Sequence, residues 1–342
     1  MKLILYIFIL GCLLSCTNKQ KTEEVKTNLP FAEVEQINLA SGKLVRLNNI
    51  ASKYITPRPV DVWLPNNYTT KEEYAVIYMH DGQMLFDSTT TWNKQEWKVD
   101  EVAAKLNNDK NIKKFIVVAV HNIAELRWQD LFPKKAITNN VSAINKSLVQ
   151  DFKNDNFDID KLTGDQYLKF IVTELKPIID TSFSVKKDAK NTFVMGSSMG
   201  GLMSMYAISE YPNIFGGAAC LSTHWLGFKP MDNNVLPNLI FKYAASNIPD
   251  SKTHKLYFDY GTETLDAYYL KYANTVDSIY LKNGYTQKNY KNLKFEGENH
   301  SENSWQKRIK IPLTFLLKTI KNEKNNYNFI LICSSNILQG KS

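Results

Sequence analysis

Residues 192–202 read Thr192-Phe193-Val194-Met195-Gly196-Ser197-Ser198-Met199-Gly200-Gly201-Leu202, an apolar strand-like run that enters a glycine-flanked serine and leaves as a helix-forming stretch. A serine hydroxyl is a weak nucleophile by itself and needs both a neighbouring base and a backbone that presents it. A tight strand-to-helix turn presents it, and that turn leaves room only for small residues two positions to either side. Gly196 and Gly200 hold those positions around Ser198, while Gly201 lets the helix lie close to the strand. The helix that starts at Met199 puts its positive dipole end beside Ser198, where negative charge would develop. Ser197 lacks the flanking glycines. Ser198 is the expected nucleophile.

Working outward, the partners follow from chain order. The chain has five histidines: His80, His121, His224, His254 and His300. In this turn architecture the nucleophile comes first, then the acid, then the base. His80 and His121 come too early, His224 leaves no room for an acid before it, and His254 sits in the polar run Ser251-Lys252-Thr253. His300 follows the last expected strand and precedes a closing helix, so it is the expected base. The acid belongs on the loop Gly261-Thr262-Glu263-Thr264-Leu265-Asp266, where a carboxylate would fix the imidazole tautomer. Asp266 is the first choice and Glu263 stays open beside it; Asp259, on the strand itself, reads as structural. An oxyanion needs two backbone N–H donors, one from the residue after the nucleophile, Met199. The second is expected from Gln83, in Met79-His80-Asp81-Gly82-Gln83-Met84 after an early strand. His80 and Asp81 read as residues that shape this loop.

The rest of the chain fits a strand-and-helix alternation. Strands are expected over 75–79, 115–120, 192–195, 217–221, 255–260 and 292–295, and helices over 101–106, 164–179, 199–211 and 305–320. Such alternation argues for an α/β fold with a mostly parallel sheet covered on both faces. Upstream, 35–47 reads as a hairpin broken at Ser41-Gly42, and 59–64 as a strand. The polar stretch from Ala136 to Asp160 reads as an insertion bordering the site as a lid. We see no internal repeat and no linker, so residues 31–320 are expected to form one domain, with 321–342 as a tail of no assigned role.

The first 15 residues have a short positive start, Met1-Lys2, and an apolar run over 3–14, the layout of a secretory signal too short to span a bilayer. Leu13-Leu14-Ser15-Cys16 resembles a bacterial lipobox, which makes Cys16 the expected lipid-bearing residue, and 16–30 a polar tether. The expected location is the bacterial cell envelope, held at a membrane by the lipid anchor. Cys220 and Cys333 form no disulfide framework and no metal pattern. The net charge of +8 comes from scattered lysines; the chain has only Arg46, Arg58, Arg127 and Arg308. A scattered charge of this kind argues against nucleic-acid binding. The chemistry needs no cofactor and no metal, and nothing in the chain indicates an oligomeric state.

These residues together resemble the esterase D-like branch of the α/β hydrolases. The resemblance rests on residues 78–86, 127–133, 196–202, 211–216 and 297–305, and reaches from about residue 57 to 320. It implies an α/β-hydrolase fold and a serine esterase with Ser198 as nucleophile, His300 as base and donors at Gln83 and Met199. Substrates in that branch include feruloyl and acyl esters of glycans and siderophore esters, and it also holds acyltransferases with sugar acceptors. An inactive glycan-binding lipoprotein is a third reading, disfavoured by the intact Ser198, His300 and glycines. Many members carry the acid three residues after the glycine that ends its strand, which here is Thr264; the acid is then displaced to Asp266 or Glu263, or the enzyme works as a dyad. Arg127 lies near the active-site face in the branch, where it orders a loop or meets an acidic substrate group. Trp97, Trp128, His224 and Trp225 are candidates for the substrate pocket.

Overall fold

The computed structural model of the 342-residue chain describes residues 31–138 and 158–319. The signal segment, Cys16 and the tether, most of the insertion expected to act as a lid, and the tail beyond 321 lie outside the described residues.

Among the described residues nine strands form one sheet in the order β1-β2-β3-β5-β4-β6-β7-β8-β9. They are β1 Ala32–Glu33, β2 Lys43–Leu47, β3 Val60–Leu64, β4 Ala75–His80, β5 Phe115–Val120, β6 Thr192–Ser197, β7 Gly217–Leu221, β8 Lys255–Gly261 and β9 Tyr290–Phe295. The pairs β1–β2, β2–β3 and β3–β5 are antiparallel; from β5 through β9 all neighbours are parallel. The helices are α1 Val99–Asn107, α2 Arg127–Asp130, α3 Lys134–Thr138, α4 Gly164–Lys169, α5 Lys176–Ser182, α6 Met199–Glu210, α7 Leu236–Ser246, α8 Ala273–Leu281, α9 Glu302–Arg308 and α10 Lys310–Leu317.

Burial explains why the central strands read as unbroken apolar runs. Every residue of β4, β5 and β7 is buried. Side chains of a strand alternate between faces, so each strand feeds two cores. In β5, Ile116, Val118 and Val120 join one core while Phe115, Val117 and Ala119 join the other. Helix α6, which starts directly after Ser198, is buried from Met199 through Ile208 and has no polar face, which suits a helix enclosed by the sheet and its neighbours.

The sequence expectations hold for the six parallel-sheet strands, with boundary changes of one or two residues. Three differences have physical causes. The hairpin begins earlier, pairing Ala32 with Arg46 and Glu33 with Val45, and leaves 35–42 as an irregular connection. The expected helix over 164–179 runs on to Ser182 through a π-helical segment Phe170–Leu175 between α4 and α5. The expected helix over 305–320 starts earlier, at Glu302, where the Ser301 side chain caps it by accepting the Ser304 N–H. Helices α7 and α8 had no counterpart in the sequence reading. Among the described residues no helix is long and apolar enough to cross a membrane.

Candidate active site

Gln83, Ser198, Asp266 and His300 follow the carboxyl ends of β4, β6, β8 and β9, the edge at which open α/β sheets present their ligand crevices. Ser198 follows β6 with φ 56° and ψ −122°, left-handed for a residue with a side chain. The neighbours require that geometry. A Cβ on Gly196 would stand 2.7 Å from the Gly200 carbonyl carbon, and one on Gly201 would stand 2.9 Å from the Leu221 oxygen. Ser198 N–H donates to Leu221 O at 2.9 Å and its own carbonyl accepts from His224 N at 3.1 Å, so the turn is tied on both sides to the end of β7. Strain of this kind persists where the surroundings over-determine it.

His300 and Asp266 meet directly. His300 Nδ1 lies 2.5 Å from Asp266 Oδ1, and the carboxylate is fully buried while the imidazole keeps 14% of its surface exposed. A carboxylate accepts only, so Nδ1 carries the proton and Nε2 is left as the basic nitrogen. The other oxygen, Asp266 Oδ2, accepts from Gly261 N and from the Ser222 hydroxyl, each at 2.5 Å. Burial pushes this carboxyl up, but His300, Ser222 and the Gly261 amide outweigh it and hold Asp266 below the usual carboxylate range. Glu263 is exposed and its backbone N–H pairs with Glu298 O. Thr264, at the position where the resembling family carries its acid, accepts the His300 backbone N–H with Oγ1 at 3.0 Å. Asp259 accepts two bonds from Arg308 and lies deep in β8, as a structural residue would.

Ser198 and His300 line one cleft of about 820 Å³, together with Asp81, Gln83, Asn122, Arg127, Trp92, Asn93, Trp97, Glu302 and Trp305. Gln83 lies in the single turn Gly82–Met84, and Met199 is the first residue of α6; the opening amides of a helical turn have no acceptor within it. The loop that carries Gln83 is held hard. Gly82 sits so close to β5 that a Cβ there would be 2.6 Å from the Ala119 carbonyl carbon. Asp81, at φ 58°, receives Arg127 Nε and Nη2 at 2.8 Å each and Asn122 Nδ2 at 2.6 Å. Burial opposes the charge on Asp81, yet Arg127 and Asn122 hold its carboxyl below the usual range. Gln83 Oε1 accepts the Asn122 N–H at 3.1 Å. Arg127 is therefore committed to ordering this loop. His80 is buried with Nδ1 2.9 Å from the Tyr167 hydroxyl, and burial lowers its pKa to about 4, so it stays neutral.

The aromatic candidates divide. Trp97 is buried at the cleft with its ring 5.3 Å from Trp305. Trp128 presents its ring edge-on to His224 and Phe228 instead of lining the cleft. His224 is buried against the Tyr269 hydroxyl at 2.6 Å, its pKa lowered to about 3 by burial and by nearby His300. Trp225 corrects the sequence reading: it packs into the core between Phe241 and Phe258. The reading also missed residues. Trp92 is 84% exposed at the cleft, and Asn93 donates to Glu302 at 2.8 Å across its mouth. Ser222 and Arg308 contact Asp266, and no local sequence pattern distinguishes either from ordinary core polar residues.

The comparisons with known proteins agree with this architecture. The family model described as "Putative esterase" matches residues 52–315. The chain belongs to that esterase family. Its fold is that of the α/β hydrolases. The chain is 22% identical over 170 residues to the uncharacterized protein YbbA of Bacillus subtilis and 29% identical over 167 residues to an endo-1,4-beta-xylanase/feruloyl esterase of Xylanibacter ruminicola. Those stretches cover 49% and 47% of the chain and 58% and 19% of the two relatives, less than two thirds of either. Among solved structures, an IroE-like serine hydrolase from Shewanella oneidensis superposes with a TM-score of 0.53 at 19% identity, over 75% of each chain.

Proposed function

We propose that the protein is a serine esterase that works through an acyl-enzyme, with Ser198, His300 and Asp266 as its triad. His300 Nε2 takes the Ser198 Oγ proton as the oxygen attacks the ester carbonyl. The resulting oxyanion is held by the Gln83 and Met199 N–H groups. Collapse expels the alcohol, which recovers the proton from His300, and leaves an acyl-Ser198 ester. Water then attacks this ester, its proton passing to His300, and collapse releases the acid and returns the proton to Ser198. The observation that carries the reading is the shared cleft: a strained Ser198 at the start of α6 and a His300 oriented by a 2.5 Å bond to a buried carboxylate line the same cavity.

For the substrate, the cleft favours an acyl or feruloyl ester on a glycan. Trp92 offers an exposed aromatic face, on which a sugar or aryl ring stacks, and Asn93, Gln95, Thr90 and Asn122 add neutral polar groups around it. Arg127 is already paired with Asp81, which removes the cleft's one arginine from service to an anionic group. The feruloyl esterase relative supports the same substrate class. With the lipid anchor expected at Cys16, the enzyme would meet such esters outside the cytoplasm.

Turnover of p-nitrophenyl acetate by the wild type and by Ser198→Ala tests the mechanism. Loss of activity and of the acetylation burst in the variant is expected. Equal rates would overturn the assignment of the nucleophile. Feruloylated or acetylated xylo-oligosaccharides should be hydrolysed with higher kcat/KM than a trilactone siderophore, and the reverse order would overturn the substrate assignment.

A further inference from the structure

Behind the His300–Asp266 pair lies a buried polar cluster that the hydrolysis steps leave unused. Ser222, at the end of β7 with φ 40°, has no exposed surface, and Arg308 of α9 and Asp259 of β8 are each 2% exposed. Arg308 donates to Asp259 through Nη2 at 3.0 Å and Nε at 3.2 Å, and its guanidinium lies 4.9 Å over the Phe295 ring. Asp259 also accepts the Ser222 N–H at 3.0 Å and the Tyr257 hydroxyl at 2.9 Å.

The Ser222 hydroxyl has a determined direction. Its oxygen accepts from Arg308 Nη2 at 2.8 Å and from Trp305 Nε1 at 3.0 Å, and both of those groups can only donate. The hydroxyl proton therefore points to its remaining partner, Asp266 Oδ2, at 2.5 Å. Arg308 Nη2 itself stands 3.9 Å from that oxygen. A fixed cation and a polarised hydroxyl thus face the carboxylate from the side opposite His300.

We propose that Arg308 and Ser222 are positioning residues for the triad acid: the guanidinium, anchored by Asp259, holds Asp266 through the Ser222 hydroxyl and sets how readily His300 accepts a proton. The proposal rests on the reading of Ser198, His300 and Asp266 as a triad. A positive charge behind the carboxylate withdraws part of its field, and so disfavours the imidazolium form of His300. The other charged or titratable groups around the pair are few. Tyr269 and His224 border His300 from the Thr264–Tyr268 turn and the β7 loop, Glu302 lies on α9, and Glu298 is taken by Lys307. Asp259 and Tyr257 complete the set on β8. Burial pushes the Asp259 carboxyl up, with Arg308 opposing that shift.

The test is the pH profile of kcat/KM for p-nitrophenyl acetate, with rates normalised to Ser198 titrated by a fluorophosphonate so that unfolded protein does not count. Removing Arg308 alone would leave Asp259 buried and unpaired, so the informative variants are Ser222→Ala and the charge-balanced double variant Arg308→Gln with Asp259→Asn. In both, the acid limb is expected to move to higher pH by about half a unit or more. In both, kcat should fall roughly tenfold with KM within about twofold, the pattern of a lost transition-state contribution. An acid limb that stays at the wild-type pH in both variants overturns the proposal and leaves the cluster as scaffold. Turnover that survives in Ser198→Ala overturns the triad itself, so the two failures are distinguishable.

Discussion

Asp266 Oδ1 and His300 Nδ1 lie 2.5 Å apart although 34 residues separate them in the chain. Asp266 reaches the histidine from the short turn Thr264–Tyr268, not from the strand end, while Thr264 occupies the nearer position and binds only the His300 backbone. Replacing Asp266 with Asn should keep the shape of the site but favour the wrong imidazole tautomer, lowering kcat roughly ten-thousandfold. Glu263→Gln, at an exposed side chain, should stay within about twofold. Steady-state kinetics on p-nitrophenyl acetate separates the two, and the opposite ranking would sink the assignment of the acid.

Gly82 and Gly297 should respond unequally to the same substitution. A Cβ at Gly82 would drive into the Ala119 carbonyl of β5 and displace the loop that carries Gln83. Gly82→Ala is expected to cost more than about 2 kcal/mol and most of kcat. Gly297 has φ 74° but open space around it, so Gly297→Ala should cost only about 1 kcal/mol from the backbone conformation. Chemical denaturation paired with kinetics on each variant measures both effects.

The Arg127–Asp81 pair predicts a pH signature. Because the folded-state pKa of Asp81 is lowered, its contribution to stability is present above the ordinary carboxylate range and is lost as pH falls through the lowered folded value. The Tm difference between the wild type and Arg127→Gln should therefore be full at neutral pH and shrink in strong acid. A difference that grows on acidification would contradict this. Activity should fall roughly tenfold, since the Gln83 loop loses its clamp.

Asp100 carries the opposite sign. It is buried at the start of α1, where it accepts from Ala40 N at 2.6 Å, and burial with the neighbouring Glu101 raises its pKa to about 7. Its folded form prefers to be protonated, so the associated stability is present below the ordinary carboxylate pKa and is lost as pH rises to about 7. Asp100→Asn, which cannot ionise, should gain in Tm over the wild type from about pH 4 upward, with the full gain above neutrality. Thermal melts across that range check the slope.

Trp92 gives a substrate-dependent prediction. With 84% of its surface exposed, it supports little of the fold and is free to stack on a bound ring. Trp92→Ala should raise KM for a feruloylated oligosaccharide by up to about tenfold while leaving p-nitrophenyl acetate unaffected. An equal loss on both substrates would assign Trp92 to the chemistry or the fold instead.

Much of this molecule was readable in the linear chain because its signals are local. Parallel strands buried on both faces leave continuous apolar runs, and the β4, β5, β6 and β7 segments stand out for that reason. The turn at Ser198 was legible because its demands fall within five residues: Gly196 and Gly200 leave the space that the strained φ of Ser198 requires. Helix α7 was missed because Pro237 and Asn238 interrupt its start, and Trp225 misled because an aromatic beside a candidate loop gives no sign of which way its ring will turn.

What the tertiary structure decided lies in contacts between distant segments. Glu263 and Asp266 are three residues apart with the same chemistry; the direction of the turn after Thr264 puts Asp266 against His300 and leaves Glu263 in solvent. Arg127 stayed open between loop and ligand, with an ion pair favoured, until Asp81 took both of its forked donors. The Ser222–Arg308–Asp259 cluster depends on β7, β8 and α9 converging behind one carboxylate, and no spacing within any single element records that convergence. Local backbone demands leave a pattern in the chain, whereas a hydrogen-bond partner is chosen by packing, and packing exists only once the strands are side by side.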